Sequence, residues 1–288
     1  MKKCIIILVL IFSSDAFLFS QDLKIMAWNI FMVPPAVYKS CQIQRAYLIA
    51  DYIKKVNPDV LVLEESFMNS VRIILKSKLD EVYKYQSDIK KSGLIKMNSG
   101  VWILSKYPID KQDFISYKKK KGTDIFAKKG ATFVEIKVND KKLQLIGTHT
   151  QSLIKYKKTR AIQFRQIRKT IADKYYKDSI CQFIIGDLNC NYYDTVEYNN
   201  MLELLDVNPS SYSGEKYSWN GLGNDLAFKF SEHSLETLDY ILLRKKHHAF
   251  AEINSTEILK PDMDSCYCNQ KFKALSDHNP IISTVRLK

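Results

Sequence analysis

The sequence predicts an α/β fold: a four-layer α/β sandwich of two packed mixed β-sheets flanked by helices. Three observations predict it. Apolar runs of strand length alternate with stretches of helical periodicity along most of the chain. The composition, 46% hydrophobic and 26% charged over 288 residues, is that of a folded globular protein. No repeat, low-complexity tract or Gly/Ser/Pro-rich linker interrupts the pattern, so residues 21–288 read as a single domain.

Residues 1–20 are set apart. They begin with Lys2 and Lys3, run apolar from Ile5 to Phe12, and end in small residues at Ser13, Ser14, Ala16 and Ser20. This is the pattern of a secretory signal peptide, too short for a permanent span. The mature chain is therefore expected to be exported. Losing Lys2, Lys3 and Asp15 lowers the formal charge by one, from +13 to +12. Such a basic surface suits nucleic acid, anionic substrate or anionic lipid without choosing among them. Cys41, Cys181, Cys190, Cys266 and Cys268 remain, an odd number with irregular spacing, which predicts at most one or two disulfides. Cys181 and Cys190, on either side of one predicted strand, read as buried thiols.

In order, LKIMAWNIF (23–31) reads as a buried strand, and QIQRAYLIADYIKKV (42–56) as a helix with Ile43, Ala46, Ile49, Ala50 and Ile53 on its apolar face. A second strand, DVLVLEES (59–66), precedes a helical SVRIILKSKL. GVWILSKYPI (100–109), ATFVEIKV (131–138) and KLQLIGTHT (142–150) read as neighbouring antiparallel strands. KTRAIQFRQIRKTIADKYY (158–176) has helical spacing and leads into the strand CQFIIGDLN (181–189). After a loop-rich stretch, LDYILLR (238–244) and PIISTVRLK (280–288) complete the pattern.

These strands end on residues able to bind a metal, orient a phosphate or move a proton: Asn29, Glu65, His149, and Asp187 with Asn189. Asp239 opens another strand, and Asp277 with His278 precedes the last. One such residue alone is ordinarily a turn or cap. A set that a sheet sandwich could gather at one mouth asks for chemistry. Mg²⁺ prefers oxygen donors and takes one or two protein carboxylates, which Glu65 with Asn29 would satisfy. A histidine held by a carboxylate has a pKa suited to activating water, and His278 with Asp239 or Asp277 would serve. His149 and Asn189 could steady charge on phosphoryl oxygens. No nucleophile elbow, Walker loop or HExxH helix competes.

The ordered set WN, EESF, GTHTQ, GDLN, LDYI and SDHNP resembles the endonuclease/exonuclease/phosphatase (DNase I-like) superfamily, and most closely its secreted bacterial sphingomyelinases. NIFMVPP (29–35), DIFAKKG (124–130), Arg160-x-x-Gln163 and SWN (218–220) carry the closer likeness, which covers nearly all of the mature chain. The resemblance implies that Glu65, rather than Glu64, and Asn29 hold the central cation. It makes His278 the general base, oriented by Asp239 and supported by Asp277. It gives Asp187 and Asn189 to positioning water and phosphate, and His149 to the transition state or the leaving alcohol. Asp124, Lys129 and Trp219 are candidate substrate contacts. Mg²⁺, with Mn²⁺ or Co²⁺ able to substitute, is the implied cofactor, and sphingomyelin in host membranes, with an anionic or zwitterionic lipid surface, the implied partner. A monomer with no nucleic acid partner is expected.

Two departures stand out. The acids that would hold a peripheral cation are absent from KMNSG (96–100), although Asn69 is kept, and MDSCYCNQKFKA (263–274) lacks the adjacent aromatic pair of a membrane-inserting hairpin. The KKKKG run (118–122) reads as a solvated loop. Trp219 reads as an anchor before a choline platform, Trp28 as core, and His233, His247 and His248 as surface residues. A DNase-like nuclease on the same fold and a non-catalytic membrane-binding relative are the alternatives. Intact strand ends speak against the second, and the sparse arginines and the NIFMVPP and DIFAKKG segments against the first.

Overall fold

The computed structural model describes residues 21–91, 97–228, 233–247, 249, 251–269 and 271–288. The expected signal peptide and His248 lie outside them. The first half contains β1 (Gln21–Asn29), α1 (Gln42–Val56), β2 (Val60–Glu64), α2 (Asn69–Leu79), β3 (Tyr85–Gln86), β4 (Trp102–Ser105), β5 (Ile109–Ser116), β6 (Gly130–Val138) and β7 (Lys141–His149). The second contains α3 (Lys157–Ile167), α4 (Asp173–Tyr175), β8 (Cys181–Asp187), α5 (Thr195–Leu205), β9 (Tyr212–Gly214), β10 (Trp219–Asn220), β11 (Leu235–Glu236), β12 (Asp239–Leu243), β13 (Ala251–Ile258), β14 (Asp262–Tyr267), β15 (Phe272–Ala274) and β16 (Ile281–Leu287).

Two main sheets form, in the orders β3-β4-β2-β1-β16-β13-β9 and β12-β8-β7-β6-β5. The period of two along each strand separates the layers. In β1, Leu23, Ile25 and Ala27 face the opposite sheet, whereas Met26 and Trp28 pack against Ala46, Ile49 and Ile53 of α1. In β8, Phe183 and Ile185 join the inter-sheet core, while Ile184 faces Phe164 and Ile167 of α3 and Met201 of α5. Strands buried on both faces need apolar residues throughout, which is why VLVLE and CQFIIGD lack alternation.

Register aligns the strand ends. β1 and β2 run parallel with Asn29 opposite Glu64, and β7 and β8 run parallel with His149 opposite Asp187. Antiparallel β12 enters beside them with Asp239 opposite Asp187. The segment before β16, itself paired with β1, brings in Asp277 and His278.

Four expectations change. Residues 100–109 are not one strand beside 131–138: β4 pairs with β2 in the first sheet, and the chain turns at 106–108 to begin β5 in the second. Ile43 is exposed, and Gln42 and Arg45 take the inward positions of α1. The helix at 158–176 continues, but through a π-helical turn at Arg168–Ala172. The loop-rich stretch also contains α5, capped by Asp194, whose side chain accepts from the Glu197 backbone N–H.

Candidate active site

Asp239 and His278 form the tightest pair at this mouth: Asp239 Oδ2 lies 2.8 Å from His278 Nδ1. The carboxylate accepts the Nδ1 proton and leaves Nε2 turned toward Asp187 Oδ2, 3.7 Å away. The backbone carbonyl of His278 accepts from Trp28 Nε1 at 2.9 Å, so the tryptophan of β1 fixes the segment that carries the histidine. Trp219 pairs with the same segment and sets its ring edgewise on His278, centroids 5.0 Å apart. It anchors the loop segment that carries the histidine.

Asp187 is the hub. Its Oδ1 accepts from the Asn189 N–H at 2.9 Å, while Oδ2 accepts from Asn29 Nδ2 at 3.2 Å and lies 3.3 Å from His149 Nε2. Asn189 holds a positive φ of 48° and donates through Nδ2 to the Thr150 carbonyl at 3.3 Å. Glu65 turns out of β2 at φ 52°, with Oε1 4.0 Å from His149 Nδ1. Such positive φ values are uncommon for residues with a Cβ, and here both sit at the mouth.

Lys129 and Asp124 reach the site from the β5–β6 connection, where they form a buried pair at 2.9 Å. Lys129 Nζ also lies 2.9 Å from His149 Nε2 and 3.1 Å from the Thr150 carbonyl oxygen. A lysine can only donate, so Nε2 accepts and the neutral ring carries its proton on Nδ1. Asp124 accepts from the Ser152 N–H and hydroxyl. The pair thus braces His149 and the loop after β7.

Burial sets the ionisation, and charged neighbours sort it. It lowers His149 well below the usual histidine value, aided by Lys129 and His278. His278 goes the other way: burial disfavours its charge, yet Asp239, Asp187 and Asp277 hold it well above that value. Burial raises Glu65, pushes Asp187 up to about 6 and takes Asp277 to about 7. Asp277 accepts from the Ser276 hydroxyl and stands behind the histidine.

The donor set fits a hard divalent cation. Glu65 Oε2 and Asp239 Oδ1 are buried without a hydrogen-bond partner, a costly state for acceptors that a cation would relieve. Asp187, Asp239 and His278 can also bring one ligand atom each within 4.8 Å of one another. His278 is already committed to Asp239, so Glu65 and Asn29, which favours the charged form of Glu65, are the better oxygen pair for Mg²⁺.

Three further residues shape the site, and the first of them, Arg45, escaped the sequence reading. Arg45, fully buried, donates to the carbonyls of Ile30, Phe31 and Leu275, and so ties the segment after Asn29 to the segment before His278. Its signal is a cation on the inward stripe of an amphipathic helix. Ser276 donates to the Asn29 carbonyl at 2.6 Å. Glu64 is wholly buried beneath the site with both oxygens unpartnered, raised by burial and by Asp239 and Asp187. Its place on a strand of apolar residues was the only hint. His247 is buried rather than on the surface: it stacks on Tyr176, and its Nδ1 accepts from the Gln182 N–H. His233 is exposed as expected.

Known proteins resemble this chain over most of its length. The profile of the Endonuclease/Exonuclease/phosphatase family matches residues 26–278. Sphingomyelinase C of Listeria ivanovii is 31% identical over 289 residues, covering 91% of this chain and 85% of that protein. Sphingomyelinase C 2 of Leptospira interrogans is 35% identical over 251 residues, which cover 78% of this chain and 40% of that protein. A mutant beta toxin from Staphylococcus aureus, solved with bound magnesium ions, has a TM-score of 0.83 at 30% identity over 92% of this chain and 99% of its own.

Proposed function

Because the chain belongs to the Endonuclease/Exonuclease/phosphatase family and, within it, to the group of bacterial sphingomyelinases, we propose that it is a secreted, Mg²⁺-dependent phosphoric diester hydrolase that cleaves sphingomyelin to ceramide and phosphocholine. The observation that carries the reading is the Asp239–His278 pair facing Asp187 beside the Asn29–Glu65 oxygens.

In this reading Asp239 fixes the imidazole with its proton on Nδ1, and Nε2 takes a proton from water held near Asp187. The water oxygen bonds to phosphorus as the bond from phosphorus to the ceramide oxygen breaks, and the departing alkoxide takes up a proton. Asn189 and neutral His149, whose Nδ1 is a donor, face the phosphoryl oxygens, with Lys129 adding positive charge behind. A divalent cation held by Glu65 and Asn29 would supply Lewis-acid neutralisation of the developing phosphoryl charge. Asp277 supports His278 from behind. Asp124 acts through Lys129, and Trp219 by seating the base; its half-buried face stands where a quaternary ammonium could stack.

The experiment is phosphocholine release from sphingomyelin vesicles, with and without EDTA. Chelation is expected to abolish release, and His278→Ala to reduce it by roughly 10²–10⁴-fold. Unchanged release by His278→Ala would refute the mechanism, and plasmid degradation without phosphocholine release would move the chain to the nucleases.

A further inference from the structure

Exposed apolar side chains gather on two loops beside the site. Ile125 and Phe126 are 44% and 55% exposed, and Leu153 and Ile154 are 51% and 62% exposed. Buried polar groups stitch the loops together: Asp124 accepts from Ser152, and Gln151 exchanges hydrogen bonds with the backbone of Lys121. Arg160, itself paired with Glu197, donates to the carbonyls of Gln151 and Leu153, while Gln163 donates to that of Lys119. Leu153 sits at φ 68°, a strained conformation for a leucine, and is held there by this network. Four apolar side chains are therefore aimed into solvent by rigid backbone, where collapse onto the surface would ordinarily hide them.

The surroundings are basic. Lys121, Lys155 and Lys158 line the adjoining surface hollow with Ile154, and Lys119 is exposed on the neighbouring turn. Within residues 118–130 and 150–160 the single acidic side chain is Asp124, buried against Lys129. By contrast, the hairpin β14–β15 turns Tyr267 and Phe272 inward and is tied to the start of α1 by the Cys41–Cys268 disulfide. Apolar anchors ringed by lysines match the boundary between headgroups and acyl chains of an anionic bilayer.

We propose that the loops at 118–128 and 151–158 form the membrane-docking surface of this protein. They insert Ile125, Phe126, Leu153 and Ile154 into the outer leaflet, with the lysines on anionic headgroups. The inference deepens the proposed action on a membrane lipid and rests on it for biological purpose, but binding can be measured without turnover. Asp124 joins the docking loops to Lys129 and so to His149, which places the mouth beside the lipid surface.

The test is co-sedimentation of the full chain in EDTA with phosphatidylcholine–sphingomyelin vesicles, with and without added phosphatidylserine. Binding is expected to strengthen with phosphatidylserine and weaken with salt. Phe126→Ser with Ile154→Ser should weaken it by on the order of tenfold or more. Phe126→Leu with Ile154→Val should restore it, and Val196→Ser, exposed on α5, should leave it unchanged. Hydrolysis of a soluble choline phosphodiester, measured with Mg²⁺, should be equal in all three variants and the parent. Undiminished vesicle binding by the serine variant would overturn the proposal, as would lost affinity for DNA in place of vesicles. Vesicle binding through these loops without phosphocholine release by the parent would leave the docking surface standing and sink the proposed function.

Discussion

Among single residues, Asp239 and His278 were legible because chemistry restricts them: a rare histidine between polar residues at a strand end has few structural uses. Arg45 was not legible, since nothing in QIQRAYLIADYI says which carbonyls a buried guanidinium will find. It spans two segments far apart in the chain, through Ile30, Phe31 and Leu275. Arg45→Met should therefore strand several buried acceptors and cost about 3–5 kcal/mol of stability, read from urea unfolding. Phosphocholine release should fall in the folded variant, because Asn29 and His278 lose their common tie. A variant as stable and active as the parent would remove Arg45 from the site's support.

At the level of elements, strands with both faces buried were easy to find and their partners were not. The run GVWILSKYPI looked continuous because apolar residues continue through it; Lys106 to Pro108 are instead the crossing from one sheet to the other. α5 was missed because its exposed Val196 and polar Asn199 and Asn200 blur the stripe made by Tyr198, Met201 and Leu205. Gly186, in β8, has φ 130°, and a Cβ there would come within 2.1 Å of the Thr148 carbonyl oxygen and 2.5 Å of Glu64 Oε1. Gly186→Ala is expected to destabilise by more than about 3 kcal/mol and to lose activity, because relief requires parting β7 from β8. The Cys41–Cys268 bond joins positions 227 residues apart. Converting both to serine should cost about 2–5 kcal/mol, visible as a lower melting temperature that reductant no longer affects. Cys181 and Cys190 are buried free thiols, as read.

Across the whole molecule, the sandwich and the gathering of polar strand ends at one mouth were legible in the alternation of elements, but the shift that burial imposes on the carboxyl groups there was not. In the metal-free fold Asp277 and Asp187 lie at about 7 and about 6, above the ordinary aspartate value. The folded state then holds more protons than the unfolded one, so stability is lost as pH rises through those values and regained as it falls. Raised His278 acts in the same sense, and lowered His149 opposes it. Asp194, held low by Lys157, turns the curve over only in stronger acid. With EDTA the melting temperature should rise by a few degrees from about pH 8 to about pH 5.5. Saturating Mg²⁺ at pH 8 should give a rise of similar sign by neutralising the same carboxylates. A melting temperature indifferent to Mg²⁺ at pH 8 would argue against a cation at Glu65 and Asn29.

The hydrogen bond from Trp28 to His278 spans 250 positions, and β16 completes the sheet between β1 and β13. Asn29 ends β1 and His278 lies between β15 and β16, so a fragment cut ahead of residue 276 lacks one half of the candidate site. The candidate centre therefore assembles only when β16 docks between β1 and β13, so a cut ahead of Ser276 is expected to abolish the phosphocholine release proposed above while leaving the residues of β1 and β2 in place.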